Sequence, residues 1–149
     1  MIYKTLSLLM CCVFLILFIF FLPLFAQQQT VTHQHPEKYY QNIIAKDIGG
    51  QTEVILPDKT RIDIVTPTKV IEVDFANKWY EAVGQTIHYA IQTGKKPTIW
   101  LIKETDADDK HIERCYAACE KIRLLQTCIA CEHEIIRKIE VYVYDVTKN

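Results

Sequence analysis

The sequence predicts an α/β domain on a mixed sheet, in the order helix, three-strand meander, helix, strand, helix, strand. Three observations carry this. Short Val- and Ile-rich runs alternate with turn residues between Thr52 and Phe75, a long amphipathic stretch follows, and a second apolar run starts just after Gly94-Lys95-Lys96-Pro97. Strands that run into a helix and return to a strand call for a mixed sheet with helices on both faces.

Each element has a local cause. Gln27 to His35 is polar and aperiodic and reads as a linker. Pro36 suits the first turn of a helix, and Tyr39, Tyr40, Ile43, Ile44 and Ile48 then recur at helical spacing until Gly49-Gly50 stops it. Thr52 to Leu56 is the first strand, and Pro57-Asp58-Lys59-Thr60 a turn with proline where a type I turn favours it. Arg61 to Val65 is the second strand, Thr66-Pro67-Thr68 turns again, and Lys69 to Phe75 is the third. A helix follows from about Ala76 to Thr93, with Trp79, Ala82, Val83, Ile87, Ala90 and Ile91 as its buried stripe. Gly94 caps it, and Thr98 to Ile102 is a buried strand. Glu104 to Asp109 reads as an acidic loop, His111 to about Leu125 as a helix, and Glu132 to Lys138 as a short helix. Ile139 to Val146 is the last strand.

The 149 residues fit one domain. Leu8 to Leu22 is an unbroken apolar run of 15 residues behind Lys4, followed by Leu24-Phe25-Ala26 and three glutamines. That is the order of a secretory signal cleaved after Ala26, residues 1–26, with an exported domain, periplasmic or secreted, over residues 36–149. The alternative is an uncleaved membrane anchor over residues 5–26. The leader holds one charge, Lys4, which leaves 16 Lys+Arg against 18 Asp+Glu in the remainder. This balance excludes a strongly basic nucleic-acid glove and an acidic disordered tail, and it weighs against tight phosphate binding.

Cys115, Cys119, Cys128 and Cys131 form an even set in the exported part. In an oxidising compartment they read as two disulfides, nested as Cys115 with Cys131 and Cys119 with Cys128 around a turn. A zinc site, with His111 and His133 nearby, is the rival reading.

The chemistry lies in the meander. Glu72 and Asp74 are two apart on one strand and share a face, and the hairpin can bring Asp63 beside Glu72. Carboxylates gathered on one face repel each other unless a cation sits between them, and hard divalent cations take such oxygen ligands. Lys78 follows at the start of the next helix, where Gln85 and Tyr89 lie one turn apart. The bland reading of Ile71-Glu72-Val73-Asp74-Phe75 is a half-solvated strand with its acids in water.

Leu56 to Tyr89 resembles the PD-(D/E)XK nuclease superfamily, which has the restriction-endonuclease-like fold. Asp63 matches the family's second-strand Asp, Glu72-Val73-Asp74 its acid-x-Lys triplet in part, and Gln85 with Tyr89 the Gln/Tyr helix motif of RecB-like members. Asp58 in Leu-Pro-Asp-Lys spells the motif's name but lies in the turn before the strand. The triplet lysine is replaced by Asp74, and Lys78 is the candidate to supply it from the helix. The resemblance implies Mg2+ or Mn2+ held by Asp63, Glu72 and the Val73 carbonyl. It implies phosphodiester hydrolysis of nucleic acid, with Lys78 stabilising charge and Gln85 and Tyr89 positioning. Glu37 and Glu53 are lesser ligand candidates. The alternative is a catalytically degenerate domain acting as an exported binding module; a protein partner is not specified, and a membrane enters only through an uncleaved leader.

Overall fold

The computed structural model describes residues 32–128 and 138–148, with the side chains of 124–128 outside that description. The chain divides into Met1–Thr32 and His33–Asn149, and the described elements belong to the second unit. The leader, whether signal or anchor, and the short helix expected near Glu132 to Lys138 therefore lie outside the described residues. No helix among the described residues is long and apolar enough to cross a membrane.

Three α-helices, α1 (Glu37–Ile48), α2 (Trp79–Thr93) and α3 (Asp109–Cys128), surround a sheet of β1 (Gln51–Ile55), β2 (Arg61–Val65), β3 (Lys69–Phe75), β4 (Lys96–Lys103) and β5 (Glu140–Asp145). The strands lie in sequence order across the sheet. β1–β2 and β2–β3 pair antiparallel, and β3–β4 and β4–β5 pair parallel. The domain is thus α/β with a mixed sheet. The parallel pairs follow from α2 and α3, because a parallel return needs a long crossover.

The two faces of the sheet bury different helices. α1 lays Tyr40, Ile44 and Ala45 on Ile64, Ile71, Val73, Phe75 and Ile102. On the opposite face, Ala82 and Val83 of α2 and Ile112, Cys115 and Cys119 of α3 cover Ile99 and Leu101. Thr86 locks α2 onto β4: its Oγ1 donates to the Thr98 carbonyl (3.1 Å) and accepts from the Thr98 N–H (3.2 Å). Gly49 and Gly94 end α1 and α2 at φ 68°, a conformation that favours glycine, and their N–H groups bond the Ala45 and Ala90 carbonyls.

Four expectations about the helices need correction. The turn Ala76–Lys78 is 3-10, and α2 begins only at Trp79. Ile91 is exposed, while Thr86 and Tyr89 take inner positions. At about 100° per residue, Ile91 stands half a turn away from Ala82. The acidic loop is a capping box, in which Thr105 and Asp108 satisfy each other's backbone N–H and start α3 two residues before His111. α3 also runs without a break through Cys128. Cys119 and Cys128 are then about 13.5 Å apart along one axis, beyond disulfide reach, so that half of the nested pairing is not available. Cys115 and Cys119 are buried free thiols, and Cys131, like the Cys128 side chain and His133, lies outside the described residues.

The end of the expected linker is docked. The His33 ring stacks on Phe75 with centroids 3.4 Å apart, and Glu104 takes His33 Nδ1 at 2.7 Å and the Gln34 N–H at 2.9 Å.

Two glycines test the packing in opposite directions. A Cβ on Gly50 would meet Ile64 Cγ2 at 2.3 Å, whereas one on Gly84, inside α2, meets nothing within 4 Å. Gly50→Ala should therefore cost about 1–3 kcal/mol in urea unfolding, because Ile64 is walled in. Gly84→Ala should gain about 1 kcal/mol from helix propensity alone.

Candidate active site

β2 and β3 are registered by Ile64↔Ile71 and Val65↔Val70. One step further on, the Val73 N–H donates to the Asp63 carboxylate, at 2.9 Å from Oδ2. A side chain stands where a strand carbonyl would otherwise accept. β1 is irregular opposite this point: Glu53, facing Asp63 in the register, has φ 60°. Ile62 and Ile64, two residues apart, consequently fall into different core clusters, Ile62 with Tyr89 and Ala90 of α2 and Ile64 with α1.

Asp63, Glu72 and Asp74 line one cleft of about 580 Å³ with Glu37, Lys78, Gln85 and Tyr89. The three carboxylates are only 5%, 5% and 4% exposed, which removes the half-solvated strand as an explanation. Glu72 Oε2 is buried without a hydrogen-bond partner. Leaving a buried acceptor unpaired is costly, so this oxygen marks a place where a cation or a proton is needed. Asp74 Oδ1 accepts from the Phe75 N–H at 2.9 Å and lies 3.2 Å from Lys78 Nζ. The 3-10 turn carries Lys78 back over Asp74, four residues earlier, and Glu37 Oε2 is its second partner at 3.5 Å. Glu37 Oε1 in turn accepts from Gln41 Nε2 at 3.0 Å.

Burial is the first cause of every carboxylate shift here. It pushes Asp63 up to about 6 against the pull of the Val73 N–H, and Asp74 up to about 7 with Glu37 adding repulsion and Lys78 opposing it. Glu72 is pushed furthest, to about 9, by burial and then by Asp63, Asp74 and Glu37. Lys78 is held above the usual lysine range: burial works against its charge, and Asp74 and Glu37 outweigh it.

The remaining expected residues divide. Gln85 lines the cleft and is exposed. Tyr89 lines it too, but its hydroxyl donates to the Arg61 carbonyl at 2.8 Å and its ring is core, so it ties α2 to β2. Burial, then Glu72 and Asp63, raise its hydroxyl to about 12. Glu53 pairs with Lys38 and Arg61. Asp58 lies in the turn before β2 and is not among the residues lining the cleft; it accepts from Thr60 and from His88 Nε2 at 2.7 Å. Lys59, Arg61 and Glu81 also line the cleft, although no motif or spacing in the sequence marks them.

These oxygens suit a hard divalent cation in kind, being carboxylates with one acceptor unsatisfied. No three His, Cys, Asp or Glu among the described residues stand together as a ready-made metal cage; Asp63 is committed to Val73 and Asp74 to Lys78. No family model, curated protein or solved structure matches the chain.

Acid in the folded cleft binds protons more tightly than acid in the unfolded chain. The raised carboxylates thus add stability below about pH 4, the unfolded value, and that stability is lost as pH climbs through 6 to 9. In EDTA, urea midpoints should fall from pH 5.5 to pH 9. Glu72→Gln should flatten this slope and be the more stable protein at the alkaline end.

Proposed function

We propose that this domain hydrolyses phosphodiester bonds of nucleic acid with a divalent metal, on a restriction-endonuclease-like core. The observation that carries the reading is the unpartnered, buried Glu72 carboxylate oxygen, set between Asp63 and Asp74 in a cleft that Lys78 also lines. The antiparallel meander followed by two parallel strands supports it, as does the resemblance of Leu56 to Tyr89 to the PD-(D/E)XK pattern.

Asp63, Glu72 and the Val73 carbonyl would hold Mg2+ or Mn2+. When bound, the ion supplies Lewis acidity that lowers the pKa of water and neutralises phosphate charge. Asp63 is fixed by the Val73 N–H, so its carboxylate is oriented before any ligand arrives. Asp74 stands where the family has lysine, and in this chain it holds a lysine instead, Lys78 four residues on. Lys78 carries positive charge toward a phosphate in the cleft and stabilises the charge that develops there. Gln85, exposed on the same rim, donates to the nucleic-acid backbone. The leader directs the domain out of the cytoplasm, where such an enzyme degrades extracellular nucleic acid.

One observation favours the degenerate, binding-module reading. Lys78 spends its ion pairs on Asp74 and Glu37, not on the Asp63–Glu72 pair. Assays of DNA and RNA cleavage with Mg2+ or Mn2+ separate the two. An active enzyme loses cleavage at least about 100-fold in Asp63→Asn or Glu72→Gln with its fold kept, and Lys78→Ala slows it while metal still binds. A degenerate domain is inert as wild type and gains cleavage in Asp74→Lys, which rebuilds the triplet. Inertness of both proteins would end the nuclease reading.

A further inference from the structure

We propose that Lys59 is a substrate-anchoring residue, which grips the phosphodiester backbone at the mouth of the cleft and is held there by a turn locked to α2. The inference rests on the nuclease reading and names a contact that reading leaves open.

Three cations line the cleft, Lys59, Arg61 and Lys78, around a floor of buried acids. Phosphate approaching such a floor needs positive charge at the rim. Arg61 Nη1 is spent on Glu53 at 2.8 Å, and Lys78 on Asp74 and Glu37. Lys59 is exposed, and no acidic side chain among the described residues pairs with it. It is the cation left for an anion from outside.

The turn that presents Lys59 is built, not loose. Leu56 N–H donates to the Thr60 carbonyl at 2.8 Å and Lys59 N–H to the Leu56 carbonyl at 2.9 Å. Asp58 Oδ1 takes the Thr60 N–H (3.0 Å) and hydroxyl (2.6 Å), and Asp58 Oδ2 meets His88 Nε2 of α2 at 2.7 Å. Thus Asp58, outside the cleft itself, ties the turn to the helix that forms one wall of the cleft. Lys59 has φ 69°, where glycine or asparagine is at ease and a lysine side chain is not. Local folding would be served better by glycine, yet this position carries a long cationic side chain on the lining of the cleft.

The test measures binding of fluorescein-labelled single-stranded DNA and RNA oligonucleotides to the purified protein by anisotropy, in Ca2+, over a series of KCl concentrations. Lys59→Gln should weaken binding several-fold and lower the salt slope by about 0.7–1, one phosphate contact. Lys59→Arg should keep the slope. Lys59→Gly should raise the melting temperature, by relieving the positive φ, and still lose binding; a purely structural role predicts the first change without the second. Wild-type affinity and slope in Lys59→Gln, with wild type itself binding, would overturn the inference and leave the nuclease reading standing. Absence of both binding and cleavage in wild type would overturn the two together.

Discussion

The bond from the Val73 N–H to the Asp63 carboxylate is the constraint on which the rest of the site depends. A backbone donor in the middle of a sheet must be satisfied, and here a side chain satisfies it. Asp63 is thereby turned along β3, beside Glu72, and the β2–β3 ladder stops at Ile64↔Ile71. Where the ladder stops, the cleft begins. Glu37 reaches it from α1, Lys78 from the 3-10 turn, and Tyr89 closes it from α2 by holding the Arg61 carbonyl.

This arrangement stores unfavourable electrostatics in the fold. Three carboxylates at 95% burial or more contribute nothing to a hydrophobic core, and one oxygen of Glu72 has no partner. The two large apolar clusters, one under α1 and one under α2 and α3, supply the stability that tolerates them. Such a local violation of packing rules is the expected mark of a functional site.

Much of this was legible in the sequence. β2 and β3 have the limits that their turn residues foretold, because Pro57 and Pro67 punctuate them. The shared face of Glu72 and Asp74 follows from the period of a strand. Their burial does not, since it is made by α1 and α2, which pack from elsewhere in the chain. The partner of Lys78 was hidden for a similar reason: the ion pair with Asp74 is set by how the 3-10 turn Ala76–Lys78 leaves β3. β4 proved longer than its apolar run because Lys96 joins the parallel ladder opposite Lys69. The α3 start was mistaken for a loop, though Thr105 and Asp108 carry the capping-box spacing in plain sight. The place of Lys59 on the cleft carries no signal in the sequence, because it depends on a left-handed backbone that lysine rarely adopts.

The central claim is that the cleft's carboxylates exist to hold a divalent cation, and calorimetry of Mn2+ binding near pH 7 tests it most directly. Titrations in buffers of different ionisation enthalpy report the protons exchanged. Carboxylates that burial keeps protonated must lose those protons to bind a metal, so Mn2+ should bind with net proton release, and Glu72→Gln should lose both binding and release. No Mn2+ binding, or binding unchanged in Glu72→Gln, would contradict the account.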